Sequence, residues 1–364
     1  MIDTKEGLIV VHVMQNYDQQ RGGIFNVVHN LLSHTVPNIS QYVLTNKGPK
    51  SVKSSHVLHS PEELKAIGVD IIHLHGMGGF HGRVLRYLKK NKTSACLIHS
   101  PHGHWHPYVQ KERPFYKRCL ANILYEQILF EQCANYFVLT QEEIDHLKRR
   151  GAGGQFEIVQ NGLDQDLLML SKQYFGEEVS SFQERENTLL FIGEISPRKG
   201  VMELVSAFRK VAPDHWQLNI YGPTPARYES YQAGLKDLVS GDSRVSLNEP
   251  ISGEQKYKKM LSAKIFCLPS FAEGMALAPL EAATLGCKLL VSEACGYETL
   301  PQGTIFHTYD QHQETALERT MEQMLTQPDS FFEPDLETIR QMQTSYEWET
   351  IINHYFRLYE SCHQ

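Results

Sequence analysis

Residues 270–286 read Ser270-Phe-Ala-Glu273-Gly-Met-Ala-Leu-Ala-Pro-Leu-Glu281-Ala-Ala-Thr-Leu-Gly286, and they decide the fold. A short apolar run at 264–268 precedes this stretch and another at 288–291 follows it, as expected of strands. Pro279 suits the first position of a helix, where its missing N–H leaves no hydrogen bond unmade. Gly286 suits the C-terminal cap of the same helix. The stretch therefore predicts a strand, a helix and a second, parallel strand.

Two carboxylates lie in this stretch. Glu273 falls in the predicted loop after the strand, and Glu281 falls in the predicted first helical turn. Ligands of such sheets bind at the carboxyl ends of the strands, so we expect both side chains at that edge. A carboxylate there can accept hydrogen bonds from vicinal hydroxyls of a ribose or hexose, while a helix N-terminus favours phosphate. The alternative is a solvated loop acid and an ordinary charge at a helix N-terminus.

A glycine turn with two cations stands upstream, in Phe191-Ile-Gly193-Glu-Ile-Ser-Pro-Arg198-Lys199-Gly200. The segment follows a predicted strand, and a helix is predicted from Gly200. Gly193 allows close approach of the backbone, and Arg198 and Lys199 add positive charge beside a helix N-terminus. This combination is suited to pyrophosphate. An ordinary basic surface turn is the alternative.

The whole chain alternates between short apolar runs and helical patterns, which predicts parallel sheets covered on both faces. In the first half the predicted strands are 8–14, 41–45, 70–75, 95–99, 135–140 and 157–160, and the helices are 24–34, 83–92, 114–133 and 141–150. In the second half the strands are 188–192, 217–221, 244–247, 264–268, 288–291 and 304–308, and the helices are 200–211, 228–239, 253–262, 279–285 and 313–327.

The length of 364 residues predicts about two domains. We place an N-terminal Rossmann-like domain at 1–165, a linker at 166–187 and a C-terminal Rossmann-like domain at 188–345. A final helix at 346–364 is expected to pack back toward the N-terminal domain. The fold class is thus α/β, with two doubly wound domains and a ligand cleft between the carboxyl ends of their sheets.

Composition excludes several classes of protein. Hydrophobic residues make up 41% and charged residues 21% of the chain, unlike a disordered segment. The net charge of −7 argues against a nucleic-acid partner. The apolar runs are too short to cross a bilayer. Seven Cys residues without a Cys-x-x-Cys pair, and an N-terminus without a signal-peptide pattern, indicate reduced thiols in a cytoplasm.

The charge is uneven. Residues 1–165 carry 18 Lys and Arg against 14 Asp and Glu, and residues 166–364 carry 17 against 28. Thirteen of the 18 His also lie in the first part. This uneven distribution of charge and histidine can reflect two domains that bind different ligands. The alternative is an accident of composition.

The joint pattern resembles the retaining glycosyltransferases of family four, of the glycosyltransferase group 1 type. Arg198-Lys199-Gly200, Tyr221-Gly222-Pro223 and the spacing of Glu273 to Glu281 carry this resemblance, together with Asp70-Ile-Ile-His-Leu-His-Gly76, Ser100-Pro-His-Gly103 and Asn161-Gly-Leu-Asp164. It covers most of the chain and implies the GT-B architecture, two Rossmann-like domains facing each other across a cleft. The implied function is hexose transfer from a nucleoside diphosphate sugar, UDP- or GDP-linked, in the manner of bacterial surface-polysaccharide enzymes.

The resemblance also implies roles for single residues. Arg198 and Lys199 would hold the diphosphate, beside the turn at Gly193. Glu273, followed by Gly274, would bind hydroxyls of the donor sugar, and Glu281 would bind the ribose hydroxyls. Two first-domain features complete the implied site: the phosphate-approaching loop at Gly22 and Gly23, and an active-site histidine at His102.

The chain departs from the family pattern at two places. Glu194 stands where many relatives have Arg, which puts more of the phosphate binding on Arg198 and Lys199. Met275-Ala-Leu follows Gly274 in place of the commoner Phe-Gly-Leu, which leaves the identity of the donor sugar open. The acceptor implied is a glycan or a lipid-linked oligosaccharide. No cofactor and no metal are expected.

Two other functions are compatible with the same pattern. A sugar-nucleotide epimerase of the same architecture needs no acceptor, and a non-catalytic relative would bind glycan or nucleotide without transfer. His99, His102, His104 and His106 offer four imidazoles that could bind a metal, although Pro101 and Gly103 leave the shape of their loop open. Asp164-Gln-Asp166 is interpreted as a loop rather than a metal motif.

Two basic stretches keep peripheral contact with the inner face of a membrane as an option. The first is a set of cations before an apolar run, comprising Lys111, Arg113, Lys117, Arg118 and then Leu120, Ile123, Leu124, Ile128 and Leu129. The second comprises Arg83, Arg86, Lys89, Lys90 and Lys92. Basic amphipathic helices can lie on anionic surfaces. The alternative is a buried apolar face with solvated charges.

Overall fold

The computed structural model describes residues 7–17, 23–47, 56–111, 114–121, 125–176, 184–297 and 305–363. The chain divides into two compact units. The first unit comprises Met1–Gly162 together with Trp348–Gln364, and the second comprises Leu163–Glu347. The C-terminal segment therefore belongs to the first unit.

The first unit contains a seven-stranded sheet. Its strands are β1 (Leu8–Asn16), β2 (Ile39–Lys47), β3 (Val57–Leu58), β4 (Ile71–His75), β5 (Cys96–Ser100), β6 (Asn135–Val138) and β7 (Gln155–Ile158). The helices between its strands are α1 (Gly23–Ser33), α2 (Leu64–Ile67), α3 (Gly79–Asn91), α4 (Pro107–Lys111), α5 (Phe115–Ala121), α6 (Gln127–Gln132) and α7 (Gln141–Arg149). All neighbouring strands are parallel, in the order β3-β2-β1-β4-β5-β6-β7.

The second unit contains a six-stranded parallel sheet in the order β10-β9-β8-β11-β12-β13. Its strands are β8 (Glu186–Ile192), β9 (Gln217–Tyr221), β10 (Val245–Asn248), β11 (Ala263–Leu268), β12 (Lys288–Ser292) and β13 (Phe306–Tyr309). Its helices are α8 (Gln165–Phe175), α9 (Val201–Val211), α10 (Glu229–Val239), α11 (Gly253–Ser262), α12 (Leu277–Thr284), α13 (Ala316–Leu325) and α14 (Leu336–Ser345).

The first sheet is buried on both faces, as the continuous apolar strands predict. Along β1, Val11 and Val13 join one apolar cluster with α3 and α7, whereas Leu8 and Val10 join another. The last helix, α15 (Trp348–His363), contributes to that second cluster with a stripe at helical spacing: Trp348, Ile351, Ile352, Tyr355, Phe356 and Tyr359. This apolar stripe explains why the C-terminal helix packs against the first sheet.

The segment at 166–187, predicted as a linker, contains a helix in its described first part. It begins with α8, whose N-cap is Asp164, and this helix packs within the second unit. Ser171 of α8 donates a hydrogen bond to the carbonyl of Thr284, 2.6 Å away. The sequence signal is weak because α8 contacts its unit through few apolar side chains, among them Leu167 and Leu168.

The segment predicted as a helix at 114–133 is helical in the parts that the structure describes, α5 and α6. Residues 125–126 adopt a wider, π-type turn just before α6, and residues 122–124 lie outside the described residues. Such turns redirect side chains. Here the turn carries the buried carboxylate of Glu126, which accepts a 2.6 Å hydrogen bond from Arg150. This ion pair ties the helical segment to Arg150 at the end of α7.

Pro279 is the third residue of α12 rather than its first, because the helix begins at Leu277. The third N–H of a helix also lacks an intrahelical acceptor, so proline is tolerated there as well. Consequently Glu281 lies beyond the first turn, contrary to the prediction. Gly286, with φ of 83°, follows the end of the helix as expected of a C-terminal glycine.

Two findings concern membranes and thiols. Within the described residues, none of the helices combines the length and apolar content that a bilayer span requires. The seven cysteines form no disulfide.

A group of imidazoles lies inside the first unit. His12, His73, His75, His81 and His99 are each at most 1% exposed. Burial lowers the pKa of His12 and His81 to about 4 and that of His99 to about 3. Burial also lowers the pKa values of His73 and His75 well below their usual range, with help from neighbouring imidazoles. These rings are therefore neutral at pH 7.

We expect the first unit to lose stability in mild acid. In the unfolded chain the histidines become protonated near pH 6.5, whereas in the folded chain the buried rings stay neutral down to about pH 4. The stability that the neutral rings contribute is therefore fully present above pH 6.5 and is lost as the pH falls. Each such histidine contributes about 1.4 kcal/mol per pH unit in this window. Urea unfolding at pH 8, 7, 6 and 5 measures the slope. His99→Leu should reduce it, and the exposed His59→Leu should not; an equal slope in all three proteins would contradict the assignment.

Candidate functional site

Each sheet reverses its strand order at one central pair of neighbours. In the first unit these neighbours are β1 and β4, and in the second they are β8 and β11. Loops that leave the carboxyl ends of such a pair diverge and open a crevice, which is where doubly wound sheets bind ligands. In the second unit, Arg198 and Lys199 follow β8 and Glu273 follows β11, whereas His102 in the first unit follows β5, the neighbour of β4.

In the second unit, the loops after β8 and β11 are joined by backbone contacts. The N–H of Phe271 donates to the carbonyl of Arg198 at 2.8 Å. Gly200 has φ of 65°, and a Cβ at this position would meet the carbonyl oxygen of Pro269. Only glycine combines this backbone conformation with such close approach. The turn that carries the two cations is thereby held against the loop that carries Glu273.

Arg198, Lys199 and Glu273 form one ionic cluster. Oε1 of Glu273 accepts hydrogen bonds from Nζ of Lys199 at 2.6 Å and from Nη1 of Arg198 at 3.1 Å. Arg198 also donates to the carbonyl of Ala272 at 2.7 Å. The Glu273 side chain is 9% exposed, compared with 22% for Arg198 and 13% for Lys199. A pair of cations and a carboxylate, predicted from two separate motifs, therefore share one partly buried position beside the start of α9.

The charge state of Glu273 follows from its neighbours. Burial alone would raise its pKa, but the adjacent charges of Lys199 and Arg198 outweigh burial, so the pKa lies below its ordinary value. The carboxylate is ionised at neutral pH. Two cations and one anion leave a local surplus of one positive charge, and the N-terminus of α9 adds partial positive charge. The cluster is therefore suited to an anionic group.

Glu281 lies in a second ion pair that the sequence reading missed. Nζ of Lys256, on α11, lies 2.8 Å from both oxygens of the Glu281 carboxylate. The two side chains are 19% and 11% exposed. Nothing in the local sequence connects positions 25 residues apart on different helices, so packing of α11 against α12 alone brings them together. The carboxylate oxygens keep further lone pairs with which to accept hydroxyl hydrogen bonds.

The other second-unit candidates line the same edge. The N–H of Gly193 donates to the carbonyl of Tyr221 at 3.0 Å, so the ends of β8 and β9 stay together. Gly222 is needed for this contact because a Cβ there would collide with the Gly193 carbonyl. Gly274 follows Glu273 in the loop before α12. Glu194 points to Arg227, 3.8 Å away, rather than into the cluster.

The first-unit glycines fall at the edge of what the structure describes. Gly22 lies outside the described residues. Gly23 begins α1, is exposed, and has open space where a Cβ would stand. The placement of this loop beside a phosphate remains a prediction.

His102 follows β5 and has an unusual backbone. Its φ of 52° lies in the left-handed region, which only a few non-glycine residues adopt. The adjoining Gly103 donates its N–H to the carboxylate of Glu143 at 2.5 Å, and the same carboxylate accepts from the N–H of Leu139 at 2.9 Å. Burial raises the pKa of Glu143, and these N–H groups partly offset the shift. Glu143, which sequence reasoning missed, anchors the loop that carries His102.

The four histidines of this loop do not converge on one point. His99 bonds to the carbonyl of Gly76 at 3.1 Å, His104 packs edge-on against Trp105, and His106 approaches Glu142 at 3.7 Å. His102 instead faces His75, with Nε2 3.4 Å from Nδ1 of that ring. Each imidazole therefore has its own local partner.

A different trio has the spacing of metal ligands. Within the described part of the chain, one ring nitrogen each of His12, His73 and His75 lies within 4.8 Å of the other two. These rings are already hydrogen-bonded: His73 to Tyr359 at 2.7 Å and to Ser100 at 2.8 Å, and His12 to His75 at 3.0 Å. A metal would have to displace these bonds. The signal available in the sequence was the alternation of His73 and His75 on a buried strand.

The remaining candidates have local structural roles. Asp164 caps α8 by accepting the N–H of Asp166 at 2.9 Å. On α3 the basic residues Arg83, Arg86, Lys89 and Lys90 are exposed, while Val84, Leu85 and Leu88 are buried. On α5, by contrast, large apolar side chains face solvent: Phe115, Tyr116 and Leu120 are 73%, 66% and 54% exposed. Arg113, Ile123 and Leu124 lie outside the described residues.

The chain matches two family models of known glycosyltransferases. A family model described as "Glycosyltransferase Family 4" matches residues 28–167, and one described as "Glycosyl transferases group 1" matches residues 186–327. Together they span more than three quarters of the chain. No curated protein sequence matches the chain significantly.

Solved structures share the fold over nearly the full length. Sucrose-phosphate synthase from Thermosynechococcus elongatus has a TM-score of 0.73 at 17% identity, covering 97% of this chain and 98% of its own. Anabaena HepE in complex with UDP and glucose has a TM-score of 0.70 at 12% identity, with 97% and 100% covered. WaaG, a glycosyltransferase involved in lipopolysaccharide biosynthesis, has a TM-score of 0.66 at 17% identity, with 95% and 98% covered. These likenesses establish an α/β fold of the GT-B class.

Glu273→Gln should destabilise the second unit. The substitution leaves two neighbouring cations without their shared carboxylate in a partly buried position, at an expected cost of about 1–3 kcal/mol. Urea unfolding of the full chain at pH 7.5 measures this cost. Glu194→Gln is a matched control on the same edge, because its 3.8 Å pair with an exposed arginine contributes little. Equal stabilities for the two variants would show that the cluster is not structural.

Proposed function

Since the chain is a glycosyltransferase of the family-four type, we propose that it is a retaining enzyme that transfers a hexose. The donor in this proposal is a nucleoside diphosphate sugar, and the acceptor is a glycan or lipid-linked glycan in polysaccharide biosynthesis. The observation that carries the proposal is the cluster of Arg198, Lys199 and Glu273 beside the N-terminus of α9.

Each part of the cluster suits one part of the donor. The two cations and the helix N-terminus would hold the diphosphate, which Arg can bind in a bidentate manner. Glu273 would accept hydrogen bonds from hexose hydroxyls while keeping both cations oriented. Glu281, held by Lys256, would accept the ribose hydroxyls. Gly193 lies in the turn before the two cations, and Gly274 follows Glu273 in its loop.

The chemical step is proposed to occur on one face of the sugar. The bond between the anomeric carbon and the diphosphate oxygen breaks, and the acceptor hydroxyl oxygen bonds to the same face of that carbon. The acceptor proton passes to the departing phosphate oxygen, so charge and atoms balance. Arg198 and Lys199 stabilise the negative charge that develops on the diphosphate. His102 would orient a sugar hydroxyl near the reacting carbon. This scheme requires no cofactor and no metal.

Structures with related folds support a nucleotide-sugar donor. Anabaena HepE binds UDP and UDP-glucose, and a trehalose-6-phosphate protein from E. coli binds UDP-2-fluoro glucose. We therefore propose UDP-linked hexoses as the first donors to test, with GDP-linked hexoses beside them. A tight donor raises the unfolding midpoint by mass action, so thermal stabilisation ranks the panel.

Lys199→Ala should lower transfer from the stabilising donor about 100-fold or more, because the variant lacks one donor to the developing charge. Turnover by the purified full chain is measured with product analysis that reports the anomeric configuration. Lys258→Ala is the matched control, since Lys258 is exposed and pairs with Glu254 on the same helix. Near-wild-type transfer by Lys199→Ala would contradict the proposal. Conversion of the sugar without an acceptor would indicate an epimerase, and binding without any reaction would indicate a non-catalytic protein.

Peripheral membrane contact is proposed for a lipid-linked acceptor. The support is the exposed apolar surface of α5, formed by Phe115, Tyr116 and Leu120, together with the exposed cations of α3. Exposed apolar side chains and exposed cations can each contribute to binding at an anionic interface, through burial and charge respectively. The proposed location is the cytoplasmic side, at the inner face of the membrane.

Phe115→Ser combined with Leu120→Ser should abolish sedimentation with anionic liposomes at low salt. The serine substitutions replace the exposed apolar area while leaving every cation in place. Met169→Ser is the control, because Met169 is also exposed, at 56%, but lies on α8. Absence of wild-type binding at low salt would remove the membrane from the proposal.

A further inference from the structure

Gln41 begins a line of hydrogen bonds that ends at His102. The line runs from Oε1 of Gln41 to Nε2 of His12 at 3.0 Å, and from Nδ1 of His12 to Nε2 of His75 at 3.0 Å. It continues from Nδ1 of His75 to Nε2 of His102 at 3.4 Å. Strands β2, β1 and β4 carry the first three side chains, so the sheet itself aligns them.

The orientation of the Gln41 amide is determined by its other contacts. Its Nε2 lies 2.6 Å from the carbonyl oxygen of Leu31 and 3.1 Å from that of His34. Carbonyl oxygens only accept hydrogen bonds, so the NH₂ group must face them. The Oε1 atom, which only accepts, therefore faces His12.

The proton positions on the three rings then follow one from another. Because Oε1 of Gln41 accepts, the neutral His12 ring carries its proton on Nε2, and its Nδ1 accepts. The Nε2 of His75 must then donate, which leaves Nδ1 of His75 as an acceptor. The Nε2 of His102 must donate in turn. Burial lowers the pKa of each of these rings, which keeps each to a single proton at neutral pH.

We infer that Gln41, His12 and His75 are positioning residues that hold His102 as its Nε2–H tautomer. The Nδ1 lone pair of His102 is thereby left to accept a hydrogen bond from a sugar hydroxyl. Among the described residues no hydrogen bond to this nitrogen is found. The inference rests on the proposed function for the role of His102 in transfer, but the proton positions follow from the network alone.

The backbone around His102 supports a positioning role. Its left-handed φ is sustained by the Glu143 carboxylate, which holds the next N–H at 2.5 Å. Strained backbone of this kind persists only where the surroundings impose it. The ring and the backbone of His102 are thus held by separate, buried partners. A ring with a free choice of tautomer would present the accepting nitrogen only part of the time.

The test is nitrogen NMR of the full chain labelled in its histidine rings, with His102 assigned by comparison with His102→Ala. We expect wild-type His102 at pH 7.5 to carry its proton on Nε2. Gln41→Leu should give a mixture of tautomers and lower kcat about 10-fold, with the KM for donor unchanged, as for other residues that orient a reacting group. A wild-type proton on Nδ1, or on both nitrogens, would overturn the inference even if the variant does not fold.

Tyr359→Phe is the matched control. It removes the 2.7 Å hydrogen bond to His73, a buried ring of the same cluster that lies outside the line to His102. It should therefore lower stability while leaving the His102 tautomer and kcat unchanged; a tautomer shift in this variant would overturn the inference.

A separate experiment, a comparison of turnover between two variants, tests the role of His102 in transfer. His102→Ala should lose far more turnover than His106→Ala, whose ring interacts with Glu142 and His146. Equal, small losses would refute the role of His102, and absence of transfer by the wild type with every donor would refute the proposed function. Neither result would alter the proton positions read from the spectrum.

Discussion

The carboxylate of Glu273 holds Arg198 and Lys199 together at the edge of the second sheet, and the surrounding loops are built for this contact. Two cations so close to each other would repel in a partly buried position without an anion between them. Gly200 lets the cationic turn reach the loop after β11, and Gly222 lets the end of β9 reach Gly193. The ionic cluster therefore depends on backbone approaches that only glycine permits.

The two units stabilise polar side chains at the edge of their sheets by different chemistry. Both place polar side chains at the strand pair where the sheet order reverses. In the first unit the polar groups are imidazoles, which burial keeps neutral, so they need hydrogen bonds but no partners of opposite charge. In the second unit they are ions, which need partners of opposite charge. A neutral network can transmit a proton arrangement over three rings, whereas an ionic cluster concentrates charge for an anionic ligand.

Net charge is a poor guide to where that ligand would bind. The second half of the chain is strongly acidic, with 28 Asp and Glu against 17 Lys and Arg. Yet the local surplus at the Arg198, Lys199 and Glu273 cluster is positive, and the N-terminus of α9 reinforces it. Solvent screens charges on the far side of the unit over about 8–10 Å. The charge that a bound ligand meets is therefore set by the neighbours within hydrogen-bond distance.

The sequence by itself determined most strands and most of the long helices, because continuous apolar runs and helical spacing reflect burial. The helices α8 and α14 were not predicted. Helix α11 and strand β9 were predicted with their observed limits. Short elements with little apolar surface, such as β3, α2 and α4, left no signal. The position of Pro279 within its helix was also ambiguous, since proline is tolerated throughout the first turn.

The candidate residues Arg198, Lys199 and Glu273 could be chosen from local motifs, because each stands in a loop after a strand. Their mutual contact, and the pairing of Lys256 with Glu281, were decided only by tertiary structure. The same is true of Gln41 and Glu143, which act on His102 across 61 and 41 positions of the chain. Periodicity records which face of an element is buried. The partner that a buried polar group meets depends on which strands become neighbours, and local sequence carries no record of that choice.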